Sequence, residues 1–232
     1  MQKTSQARPA QQAAKPEPPT PPAEFQEGGI AGMDAAGLVK ILTDTGSSEF
    51  QKAKACQRIG EIGAKEAVPA LAALLADQHL NTYARNGLET IDDASAGEAL
   101  RSAMPRLKGG LLIGVINSIG KRRDSLAAPA LTKLIYSANA EVAGAAAMAL
   151  GAIGDESAMN VLLSALAKTK SPTREAVADA GLLCADHLLV EGRRPQAIAL
   201  YTSLSASGIP KPARLGAMAA IIREETSVGR PR

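Results

Sequence analysis

The stretch from Ile59 to Asp77, IGEIGAKEAVPALAALLAD, constrains the fold more than any other part of the 232-residue chain. It reads as the end of one helix, a tight turn and an amphipathic second helix. In the second helix Val68, Leu71, Leu74 and Leu75 recur at helical spacing. Pro69 falls inside the first turn, where its missing N–H costs little. In the helix before the turn, Phe50, Ala53, Ile59 and Ile62 make an apolar stripe. The Ile-Gly-x-Ile-Gly corner supplies small residues where the two helices fold back on each other.

Variants of this hairpin recur down the chain. LNTYARNGLETIDD (80–93) precedes SAGEALRSAMPRL (95–107), and GGLLIGVINSIG (109–120) precedes RRDSLAAPALTKLIYS. NAEVAGAAAMALGAIG (139–154) then precedes DESAMNVLLSALAKT. Taking Ile62, Ile91, Ile119 and Ile153 as equivalent gives steps of 29, 28 and 34 residues. A fifth unit departs from the pattern, with a longer helix over 172–192, Ser171 as its expected cap, and a return over 193–207. A short helix from about Asp34 to Asp44 precedes the repeats, and one from Pro212 to Glu225 closes them. Asp34, Asn139 and Asp155 are the expected helix caps. A repeated helix pair of about this period predicts a solenoid, because no pair can bury its apolar face alone.

Composition supports an all-α architecture. The chain is 46% hydrophobic but only 2% aromatic, so its apolar material is Ala, Leu, Ile and Val, which lets helices approach closely. The β-branched and aromatic alternation of strands is missing. Residues 1–30, rich in Pro, Gln and Ala, are expected to be a disordered tail. A solenoid of about five helix pairs with half-repeat caps is expected over 31–226, and a frayed basic tail over 227–232.

The phrases IGEIGAKEAVPALAALL and ALGAIGDESAMNVLLSAL resemble HEAT repeats, in particular the short bacterial type also found in phycobilisome lyases. The resemblance covers 49–170 well and 171–225 more loosely, where Ala185, Leu188, Gly192, Ala197 and Tyr201 give a tetratricopeptide-like look. It implies a right-handed α-solenoid and a non-catalytic scaffold that holds a partner protein along its concave face. The second helix of each pair lines that face in HEAT solenoids. The resemblance therefore implies contact residues at Lys65, Glu66, Arg101, Lys133, Asn160 and Gln196. The second repeat departs from the pattern, with Asp92-Asp93 in place of an Ile-Gly corner.

Other chemistries find less support. His187 has only Glu191 at helical spacing, so no metal site is expected. Cys184 and His187, three apart on one helix, could meet, but no orienting residue or oxyanion site accompanies them. No cofactor is implied. Residues 28–100 carry 6 basic against 10 acidic side chains, and residues 101–232 carry 17 against 10. Basic groups at Lys121-Arg122-Arg123 and Arg193-Arg194, with Arg106, Lys108, Lys168 and Lys170, keep nucleic-acid or polyanion binding as the alternative. The scarcity of aromatics for base stacking weighs against it. A bilin-lyase-like enzyme is a more distant alternative that the residues do not favour. No membrane span is expected, a monomer is expected, and the composition of the tail leans toward export.

Overall fold

A computed structural model of the chain describes residues 29–228 and, ahead of them, Thr20 and Pro22; side chains are described as far as Thr226. The tail expected over 1–30 therefore lies almost entirely outside the described residues. So do residues 229–232, although the last helix runs on to Val228.

The described residues form an all-α solenoid of helix pairs with no strand among them. A short entry helix, α1 (Ala35–Thr43), leads into five pairs. These are α2 (Glu49–Ile62) with α3 (Val68–Ala73), α4 (Asn81–Thr90) with α5 (Ala94–Ala103), and α6 (Gly109–Lys121) with α7 (Ala128–Leu134). Then come α8 (Ala140–Ile153) with α9 (Glu156–Lys168), α10 (Thr173–Val190) with α11 (Arg194–Leu204), and a closing α12 (Lys211–Val228). No helix among the described residues is long and apolar enough to cross a membrane.

Local signals set the helix starts. Asp34, Asn139 and Asp155 accept from the first free amides of α1, α8 and α9, as expected. Ser48 and Gln51 close a reciprocal capping box at the start of α2. Ser171 does not cap α10. Its hydroxyl donates instead to Glu175 at 2.5 Å, and Pro172 stands at the cap position.

The first helices of the pairs (α2, α4, α6, α8 and α10) stack in one layer, and the second helices make the other. One continuous core runs between them, through Ile59, Leu71, Leu88, Leu100, Ile119, Leu131, Leu150, Leu162, Leu188 and Leu204. Within the first layer, glycine permits close crossing. A methyl on Gly151 would meet the Ala180 carbonyl oxygen at 2.5 Å, and one on Gly120 the Ala149 Cα at 2.9 Å. At the α2–α4 crossing, a methyl on Gly60 would meet the Gly87 Cα at 3.2 Å.

These contacts correct the repeat register. Gly60, Gly120 and Gly151 serve the crossings between successive first helices. Gly63 and Gly154 make the left-handed turns that end α2 and α8, with φ of 66° and 69°. In the third pair that turn position is held by Arg123, at φ 52°. Ile119 is therefore the counterpart of Ile59, not of Ile62. Ile62 itself is 39% exposed and leaves the expected stripe, whereas Ile153, at the same place before the Gly154 turn, is buried.

The basic corners are consumed in joining one pair to the next. Arg122 donates to the carbonyls of Leu88 and Ile91, each at 2.7 Å, and of Asp93 at 3.1 Å, closing the end of α4 where no glycine turn exists. Arg123 donates to the Ile153 carbonyl at 3.0 Å and pairs with Glu191. Lys121 pairs with Glu89 at 2.6 Å, Arg193 with Glu156 at 3.1 Å, and Arg194 with Glu224 at 3.3 Å. The α4–α6 joint is the most polar. There Arg85 donates to Gly114 O and Ser118 Oγ, both at 3.2 Å, and the buried Ser118 hydroxyl donates to Glu89 at 2.7 Å.

Candidate partner-binding face

The second helices touch one another more sparingly than the first helices do. The gaps between them form three consecutive grooves. Between α3 and α5 lies a groove of 190 Å³ walled by Ala72, Ala73, Leu75, Ala76, Ala103, Arg106 and Leu107. Between α5 and α7 lies one of 480 Å³, with Met104, Pro105, Pro129, Ala130 and Leu134 as its apolar walls and Arg101 and Lys133 at its polar margin. Between α7 and α9 lies one of 430 Å³, lined by Thr132, Tyr136, Ser157, Asn160, Val161, Ser164 and Lys168.

The local sequence explains this face. Prolines at the second position of α3 and α7 stand exposed, where a missing amide is harmless. Small residues (Ala72, Ala73, Ala76 and Ala130) keep the grooves open. Tyr136 leaves 48% of its surface in water at the end of α7, an exposed aromatic in a chain with three tyrosines.

Three of the six sequence-predicted contact residues come together here. Arg101, Lys133 and Asn160 line adjoining grooves. Arg101 is half-buried and committed to an ion pair with Asp124, whereas Lys133 and Asn160 are exposed. Lys65 and Glu66 are exposed in the short turn of helix before α3 (65–67), and neither lines a groove. The Lys65 charge acts instead on Asp93, whose carboxyl is held below its ordinary range first by the Ser95 hydroxyl and amide, with lesser help from Lys65 and Arg122. Gln196 is half-buried in the first turn of α11, away from the three grooves. The groove-lining residues that helix spacing misses are Tyr136, Met104, Pro105 and Pro129. Arg106 and Lys168 were visible only as members of a general basic group.

The remaining chemical candidates fare differently. Burial pushes the Cys184 thiol up to about 12, away from a thiolate at neutral pH, and the base of the His187 side chain packs beside the Gly154 turn. Cys56 is pushed up to about 12 by burial as well, and both cysteines are free. Among the described residues no group of three or more His, Cys, Asp and Glu side chains is placed to hold a metal ion.

The family model of HEAT repeats matches residues 110–180, which span α6 to the first half of α10. No curated protein matches the chain. Among solved structures, an engineered protein is similar over 84% of this chain and 98% of its own, at 19% identity and a TM-score of 0.50. A second engineered protein is similar over 84% of this chain and 57% of its own, at 19% identity and a TM-score of 0.49. Human deoxyhypusine hydroxylase in complex with glycerol is similar over 85% of this chain and 77% of its own, at 19% identity and a TM-score of 0.41. At this identity the first likeness speaks for the fold alone.

Proposed function

We propose that this chain, an α-solenoid of HEAT repeats, is a non-catalytic scaffold that holds a partner protein against its second helices. The observation that carries the reading is the row of three grooves on that face, one in each of three successive helix gaps. A row of grooves suits an elongated ligand rather than a compact one. The apolar floors (Leu75, Met104, Leu107, Leu134 and Val161) offer surface that a partner's side chains would cover.

The nucleic-acid alternative loses much of its footing at the basic corners. Lys121, Arg122, Arg123, Arg193 and Arg194 are spent on carbonyls and carboxylates of neighbouring pairs. Their positive charge is largely answered within the solenoid.

Capture with the full chain as bait tests the reading, run beside a variant carrying Tyr136→Ala and Ala130→Glu. One stoichiometric protein retained by the parent and lost by the variant is the expected result. Capture that both baits share would place the contact elsewhere and overturn it.

A further inference from the structure

The three grooves have a common electrostatic design. Each carries one exposed cation without an ion-pair partner among the described residues: Arg106 in the first, Lys133 in the second and Lys168 in the third. All three stand in the last turn of helix before the chain leaves the second layer. No Asp or Glu lines any of the grooves. The helix dipole accounts for a cation at each helix end. It does not account for the missing carboxylates in three successive linings, in a chain with 23 acidic residues.

Geometry adds a spacing. The closely crossed first helices set the repeat of the stack at about 10 Å, and the more open second layer carries its cations at about that interval or somewhat more. An extended chain advances about 3.3 Å per residue, and a polyproline-type chain about 3.1 Å with three residues per turn. Three residues of either conformation span one groove. In the polyproline form every third side chain also points the same way.

We propose that the scaffold's ligand is an extended acidic peptide segment of a partner protein, with carboxylates at about three-residue intervals set against Arg106, Lys133 and Lys168. The proposal rests on the scaffold reading and gives its partner a chemistry. Small apolar or proline side chains between the carboxylates fit the Ala- and Pro-walled grooves. Such a segment fits the face better than a nucleic acid does, because the floors are aliphatic and Tyr136 is the single aromatic residue among the three linings.

Fluorescence anisotropy with the full chain tests the proposal. The probe is a labelled peptide of about twelve residues, enough to cross three helix gaps, with Glu at every third position in an Ala/Pro background. The comparison probes are the same composition scrambled, a Lys-for-Glu version, and an oligothymidylate of similar charge. The regular Glu peptide is expected to bind best, with affinity falling as salt rises. Lys133→Glu should weaken it on the order of tenfold, and Arg106→Glu and Lys168→Glu similarly. Lys211→Glu, away from the grooves, should leave it unchanged. Equal affinity for regular and scrambled peptides, or no binding of either, would overturn the proposal. Tighter binding of oligothymidylate would overturn it in favour of nucleic acid. A captured partner protein lost with Tyr136→Ala but indifferent to all three charge reversals would sink the acidic segment while leaving the scaffold reading in place. A partner indifferent to every groove change would remove both.

Discussion

The two layers of the solenoid are made from similar residues but packed to different ends. In the first layer, glycine and alanine let α6, α8 and α10 cross with backbones nearly touching. In the second layer, alanine and proline line gaps that stay open. Small residues therefore have no fixed meaning in this chain. Facing another helix backbone they close a joint, and facing a gap they leave room. The first layer holds the structure together, and the second offers its surface.

The sharpest way to break this comparison is to add one methyl group in two places. Gly151→Ala drives a Cβ to 2.5 Å from the Ala180 carbonyl oxygen, which cannot yield without moving α10. Overpacking of this kind costs about 1–3 kcal/mol, more than the gain of about 1 kcal/mol from replacing a helical glycine. Urea denaturation should show a net loss. Gly110→Ala, in the first turn of α6 with nothing within 4 Å of the added carbon, should instead gain stability. The same substitution then has opposite signs at the two sites. A gain at both would show that α8 and α10 are not closely crossed.

Next in size is Arg122→Ala. This guanidinium spans carbonyls at the end of α4 that no glycine turn satisfies. Losing such charge-assisted bonds should cost about 2 kcal/mol in the same assay. Lys133→Ala, on the open layer, should fall within about 0.5 kcal/mol of the parent, as surface changes do. If the two variants were equal, Arg122 would be no more than a solvated charge.

The Arg122 joint also marks the limit of what the sequence displays. The helix pairs are legible because Leu, Ile and Ala recur at helical spacing and Asp34, Asn139 and Asp155 cap where a polar residue precedes an apolar run. The register was harder to read because an Ile-Gly step marks a helix crossing at Gly120 but a left-handed turn at Gly63. Arg123 hides the third turn by adopting a conformation usually left to glycine. Basic runs read as a surface feature, since their partners lie about one repeat away and no local spacing reveals them. Arg122 reaches back 31 residues to Ile91, and Arg123 reaches forward 30 to Ile153. Lys133 and Asn160 were legible as groove residues because an exposed position on a second helix is set by its own helical phase. Lys65, Glu66 and Gln196 fall at helix starts, where phase does not yet decide the face.

A smaller effect concerns the core thiols. Both cysteines are buried, with their thiols pushed up to about 12, so a disulfide reagent at neutral pH should label neither in the folded chain and both in urea. Their folded values are raised, so any stability they contribute is present below the ordinary thiol value of 9.0 and is lost as pH rises toward 12. Rapid native labelling of Cys184 would reopen the Cys184–His187 pair as chemistry.

The smallest expected effect is on the acid side, and it separates the joints from the grooves. Glu191 is held below its ordinary carboxylate range first by its hydrogen bond from Arg123. Asp93 is held down first by Ser95, and Asp44 by the Gly46 amide. Each is lowered in the folded chain, so its contribution is fully present above the unfolded value. It is lost as pH falls through the lower folded value. Stability should therefore be level from neutrality to about pH 5 and decline below that, in the range where such carboxylates titrate. Glu191→Gln should flatten part of the decline, because it removes a titrating partner that ties Arg123 across from the third pair to the fifth. The three grooves contain no carboxylate, so Lys133→Ala should leave the shape of the decline unchanged while weakening peptide binding. A variant at Lys133 that altered stability and binding together would mean that the open face is built into the joints, and the division between the two layers would not hold.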